Sequence, residues 1–111
     1  MTRLLAAAGL TAALPDELAP GVEVLDGTPT AKALDLHTLA GVELGLWEMT
    51  AGRVVDVEGD EVFVVLAGAG ELRVADEVIR LQPGAVVRLY AGDRTEWSVT
   101  ETVRKFYVAG D

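Results

Sequence analysis

The sequence predicts an all-β domain, a sandwich or barrel of short strands, and three observations predict it. From Gly27 onward, runs rich in Val, Leu and aromatics alternate with Gly, Pro and Asp turns at short, regular intervals, the punctuation of a β-sandwich or barrel. The chain has 111 residues, one ordinary domain, which at this size buries roughly 65% of its unfolded surface without staples. Half of the residues are apolar, so the chain has the material for a core.

Residues 2–14 are rich in Ala and Leu, which predicts a short helix. Pro15 and Pro20 stop it, and the stretch to Gly27 reads as an irregular arm. The expected division is an N-terminal arm, residues 1–27, and a barrel, residues 28–111. Expected strands are Ala31–His37, Val42–Met49, Arg53–Val57, Glu61–Leu66, Glu71–Ala75, Val78–Leu81, Ala85–Leu89, Thr95–Val99 and Arg104–Val108. The glycine-rich LAGAGEL follows a strand but precedes no helix. It therefore lacks the helix amides that bind phosphate and reads as a hairpin turn. The run Val62–Leu66 does not alternate. A strand apolar on both faces must be covered on both, by a second sheet, the arm or another subunit.

Charge and composition exclude several functions. The net charge is −9, whereas a nucleic-acid binder needs a basic face, and an acidic membrane surface would repel the chain. No apolar run approaches the ~20 residues of a membrane span. The N-terminal MTRLLAAAGLTAAL is interrupted by Gly9 and Thr11 and followed by PDEL, a poor secretion signal, so the expected location is cytoplasmic. With no cysteine, there is neither a disulfide nor a thiolate metal site.

Between Gly52 and Val99 the glycines fall in a fixed pattern. In EVFVVLAG, Glu61 is followed by six residues and Gly68. In GAVVRLYAGDRT, Gly84 is followed by five residues, then Tyr90, Ala91 and Gly92, two residues, and Thr95. This spacing resembles the two motifs of the cupins, G-x5-H-x-H-x3,4-E-x6-G and G-x5-P-x-G-x2-H-x3-N. LWEMTAGR, DEVFVVLAG and GDRTEWSVTETVRKFYV further resemble the small single-domain cupins related to the ureidoglycine aminohydrolase and ethanolamine-utilisation cupins. The resemblance covers Val42 to Val108. It implies a conical cupin (RmlC-like) jelly-roll β-barrel, usually a homodimer, preceded here by a short N-terminal arm or helix.

The resemblance also implies metal-binding histidines, and they are missing. With Glu61 as the motif glutamate, they would stand at Val55 and Val57, or, with a longer spacer, at Val54 and Asp56. The third would stand at Thr95. A transition metal needs several imidazole, thiolate or carboxylate donors. Glu58 and Asp60 enter only in a shifted register. No metal and no cofactor is expected, and the aminohydrolase chemistry of the metal-dependent branch loses its ligands.

The remaining candidates carry two readings each. Glu61 is the candidate catalytic residue, as general acid/base or as the partner of a ligand amine. Otherwise it is a buried carboxylate tied to Arg or Lys. Trp47 and Trp97 form an aromatic wall for a ligand, with Phe63 and Thr95 also candidate ligand contacts, or they fill the core together with Phe63. If Thr95 faces inward, alternation turns Trp97 inward too. Arg53, Arg88 and Lys105, with Tyr107 on the parity of Lys105, hold a carboxylate ligand or Glu61, or lie on the surface. His37, the one histidine, has no evident orienting partner and reads as a solvent-facing side chain. The expected function is binding of a small polar metabolite in the barrel. The alternatives are an enzyme resembling ureidoglycine aminohydrolase or an isomerase and using Glu61, and a structural dimer module with a filled barrel.

Overall fold

A computed structural model describes residues 3–110. Among these residues nine strands are formed: β1 (Asp16–Leu18), β2 (Glu23–Asp26), β3 (Ala31–Leu39), β4 (Val42–Met49), β5 (Gly52–Val57), β6 (Glu61–Val74), β7 (Glu77–Leu81), β8 (Val86–Leu89) and β9 (Arg94–Ala109). All pairings are antiparallel. No helix among the described residues is long and apolar enough to cross a membrane.

Two long strands organise the molecule. β6 pairs with β9 from Glu61↔Ala109 to Val74↔Thr95. On the far edge of β9, its C-terminal half takes β4 and its N-terminal half takes β5. On the far edge of β6, the first residues take β8 and the last take β7. The long strands thus belong to two sheets at once, β1-β3-β4-β9-β6-β8 and β2-β5-β9-β6-β7, which fold over a shared core. This is the all-β jelly roll the sequence implies.

The bend between the sheets lies at Val65–Gly70, where the β6–β9 register shifts repeatedly. LAGAGEL is therefore not a hairpin turn, and the two strands expected on either side of it are one. The same holds for Thr95–Val99 and Arg104–Val108, both within β9. Gly68 makes the bend possible. Its φ is +100°, and a Cβ there would overlap the Thr102 carbonyl, so any other residue would combine a left-handed conformation with a backbone clash.

The core lies between the sheets. Met49, Val54, Phe63, Val65, Leu72, Leu81, Val87, Leu89, Trp97 and Val103 are buried in one cluster. In β6 the alternation is plain: Phe63 and Val65 are 1% exposed, whereas Val62 is 39% exposed on the outer face.

Residues 3–14 form no helix. One turn closes, with Thr11 N and Ala12 N donating to Ala8 O, and Arg104 Nη1 donates to the carbonyls of Gly9 (3.0 Å) and Ala12 (2.8 Å). A helix this short is marginal alone, and the buried guanidinium binds carbonyls that a continuing helix would use. The stretch after it, read as irregular, supplies β1 and β2, which add to the edges of β3 and β5. Both are exposed throughout. Backbone pairing rather than burial makes them, which is why hydrophobic pattern did not reveal them.

Candidate functional site

One end of the jelly roll opens into a cavity of about 180 Å³, lined by Leu18, Ala33, Trp47, Asp56, Glu58, Glu61, Trp97, Lys105 and Tyr107. Pairing explains the convergence. Trp47 on β4 stands opposite Lys105 on β9. Glu61 and Phe63 at the start of β6 pair with the end of β9, with Phe63 opposite Tyr107. Asp56 on β5 stands opposite Thr95. Glu58 follows β5 and is pinned by its backbone, its N–H donating to Asp93 O and its carbonyl accepting from Gly92 N.

Lys105 is the centre of the site. Its Nζ lies 2.5 Å from Glu61 Oε2, and the two side chains are 6% and 16% exposed. Three ring faces surround the ammonium: Phe63 at 4.5 Å, Trp47 at 4.6 Å and Trp97 at 5.0 Å to the centroids. Trp97 also packs on Trp47 and Phe63, with centroid separations of 5.2 and 5.6 Å. The negative faces of the rings attract the cation, and the carboxylate neutralises it.

Each of the three carboxylates has one oxygen engaged by the protein. Asp56 Oδ1 accepts from Val57 N (2.9 Å). Glu58 Oε2 accepts from Thr95 Oγ1 (2.7 Å) and Trp97 Nε1 (3.1 Å). Glu61 Oε2 accepts from Lys105. No hydrogen bond within the described residues engages the second oxygen of any of them. Burial, and then the charge of Glu58, push the Asp56 carboxyl above its usual range. Tyr107 reaches across Gly45, where a Cβ would overlap its hydroxyl, and donates to Asp35 Oδ1 at 3.2 Å. Burial, and then the neighbouring Asp35, raise the Tyr107 phenol to about 12.

Of the residues singled out in the sequence, Trp47, Glu61, Trp97, Lys105 and Tyr107 line the cavity. Phe63 lies beneath it against Lys105, and Thr95, 1% exposed, orients Glu58. The two arginines are elsewhere. Arg53 forms an ion pair with Glu96 on the outer surface. Arg88 pairs with Asp60 at 3.2 Å and stacks on Tyr90. Both side chains are exposed, and Arg88 stands between the buried Val87 and Leu89. His37 is exposed on β3, away from the cavity. Asp56 and Glu58, named in the sequence only as possible motif positions, join the site. The signal was the length of the motif spacer. The longer spacer puts Val54 and Asp56 on the inner face, and Val54 is fully buried, but the sequence alone left both spacers open.

A metal ion does not fit these residues. At the four motif positions stand Val54, Asp56, Glu61 and Thr95, and Glu61 is held by an ammonium. No group of three or more His, Cys, Asp or Glu among the described residues is arranged to hold a metal.

The model of the EutQ-like cupin domain family matches residues 36–107, more than half of the chain. No curated protein matches. Among solved structures, the EutQ protein of Clostridium difficile superposes with a TM-score of 0.73 at 20% identity, covering 89% of this chain and 80% of that one. A cupin superfamily protein of Desulfitobacterium hafniense DCB-2 gives 0.61 at 16% identity, over 90% and 100% of the two chains. The ectoine synthase of P. lautus gives 0.62 at 20% identity, over 79% and 68%. At these identities the likeness shows the fold.

Proposed function

We propose that this chain, which belongs to the family of EutQ-like cupin domains, binds a small polar molecule at the mouth of its barrel without a tightly bound metal. One observation carries the reading: the mouth of the barrel holds a cavity above the packed core. A cavity remains where Trp47, Trp97 and Tyr107 meet Asp56, Glu58, Glu61 and Lys105. Its volume of about 180 Å³ is below the roughly 300–1,000 Å³ of drug-sized sites, so the ligand is small. The indoles give it an apolar wall, and the second oxygens of three carboxylates give it hydrogen-bond acceptors. The excess of carboxylate over ammonium favours a neutral or cationic ligand that donates hydrogen bonds.

A second reading, catalysis, is favoured by one residue. Asp56 combines a raised pKa with a place in the cavity lining, the combination a general acid/base needs. In that reading Asp56 takes the role expected of Glu61, because Glu61 is tied to Lys105. A structural module with a filled barrel is the reading the cavity counts against.

A thermal-shift and tryptophan-fluorescence screen of small polar compounds tests the proposal. A saturable binder whose effect is lost in Asp56→Asn, while the variant stays folded, supports it. Binders that act equally on wild type and on Asp56→Asn and Trp47→Leu would place recognition elsewhere and contradict it.

The protein is further proposed to form a homodimer. Val62 and Val86 are 39% and 70% exposed on the outer face of β6 and β8, beside the half-buried Val64 and Leu66. Residues 9–12 of the N-terminal segment lie against β4 and β9, around Leu46 and Arg104. Light scattering checks this: a mass twice the 11.7 kDa of the chain is expected, and 11.7 kDa would contradict it.

A further inference from the structure

We propose that Lys105 is a tethered cation standing in for a metal ion, and that the box around it is a binding site for a primary ammonium which the chain fills with its own side chain. The inference rests on the reading that no metal resides in the barrel.

Four observations lead to it. The residue at the motif glutamate position, Glu61, is the one the ammonium contacts, at 2.5 Å. A divalent ion and an ammonium compete for that carboxylate, because each needs its charge. Three ring faces, those of Trp47, Phe63 and Trp97, lie 4.5–5.0 Å from the ammonium, an arrangement that selects a cation over a neutral group of the same size. The residue is 4% exposed, so its charge is desolvated and depends on this surround. Finally, Lys105 itself lines the open cavity, so a molecule replacing its side chain has a route in. An ordinary structural ion pair needs a partner; it does not need three aromatic faces.

The consequence is specific. Lys105→Ala keeps the Cβ and removes three methylenes and the ammonium, which together are n-propylammonium. The emptied box should bind that ion. Ligand binding to the folded state raises the unfolding midpoint with ligand concentration. The expected result is a lower midpoint for Lys105→Ala, recovered by at least half on adding n-propylammonium and not by 1-propanol. Wild type, whose box is full, should gain less than half of the midpoint rise that Lys105→Ala shows at the same concentration. In Lys105→Ala/Glu61→Gln the recovery should disappear. Recovery by 1-propanol as well would mean an apolar hole and would overturn the proposal; so would no recovery by either.

Titration of wild type with Zn2+ and Mn2+ separates the two levels. One equivalent bound and lost in Glu61→Gln would overturn the metal-free reading itself. No metal bound, with no recovery in Lys105→Ala, would overturn the tethered cation alone. Where Lys105→Ala does not fold, wild type decides. The chain has two lysines, Lys32 and Lys105. Among them, the box predicts one set of side-chain methylene resonances shifted strongly upfield by ring currents, with an ammonium slow to exchange. Two solvent-like lysines would overturn the proposal.

Discussion

Glu61→Gln removes one charge from a pair that is 6% and 16% exposed and leaves the Lys105 ammonium enclosed by rings alone. Breaking a buried pair by removing one partner destabilises by about 3–5 kcal/mol, because the surviving charge stays desolvated. Two features place this variant at the lower end. The three ring faces remain, and the glutamine oxygen still accepts a hydrogen bond from Nζ. A loss of about 3 kcal/mol is therefore expected. For a domain of this size, 1 kcal/mol moves the midpoint by roughly 4–5 °C, so a fall of roughly 12–15 °C follows. Thermal and urea unfolding, followed by tryptophan fluorescence, measure it. Lys105→Met in the Glu61→Gln background removes the stranded charge and fills its volume. Much of the stability should return, giving a coupling of about 2 kcal/mol or more between the two sites. A Glu61→Gln midpoint within about 2 °C of wild type, or additive single variants, would refute the idea that this pair holds the barrel mouth together.

Three further outcomes follow from neighbouring residues. The folded-state pKa of Asp56 is raised above its ordinary 3.8, so the native state binds the proton more tightly than the unfolded chain. Stability from this group is present at low pH and falls as pH rises from about 3.8 through the raised value; Asp56→Asn should thus gain stability at pH 7 relative to wild type and lose that part of the pH dependence in denaturation curves. Gly68→Ala should destabilise by more than the roughly 1–3 kcal/mol of a left-handed non-glycine residue, because its Cβ also meets the Thr102 carbonyl; urea unfolding, or failure to obtain folded protein, reads this out. Arg104→Ala breaks two hydrogen bonds from a charged donor to the Gly9 and Ala12 carbonyls, worth about 1.5–3 kcal/mol each. Limited proteolysis should then cut the N-terminal segment while the barrel stays intact.

Much of this could be read from the sequence, and what could not has physical causes. The expected strand Val42–Met49 has the observed bounds, because turn residues, Gly41 on one side and Ala51-Gly52 on the other, flank an apolar-rich run. Glu61 could be placed inside the barrel by its spacing to Gly68, and its tie to a cation was one of its two expected readings. Gly68 keeps its motif position, but the string around it is not the expected hairpin turn. A glycine-rich string between two apolar runs signals a turn in most strands, whereas here it marks where two paired strands bend together. β1 and β2 carry no apolar alternation because they bury nothing. Lys105, Arg53 and Arg88 looked alike in sequence; parity separates them, and parity is fixed only when a strand's partners are known. Asp56 depended on a one-residue difference in spacer length, which turns every side chain to the other face, and Glu58 lies past the strand, where alternation gives no guide.

Elemental analysis of protein purified without added metal or chelator bears most directly on whether the barrel works without a metal. With Val54 and Thr95 at two of the four motif positions and Lys105 on Glu61, the predicted result is no stoichiometric Zn, Mn, Fe or Ni. One equivalent of any of them, retained through gel filtration and lost in Glu61→Gln, would contradict it.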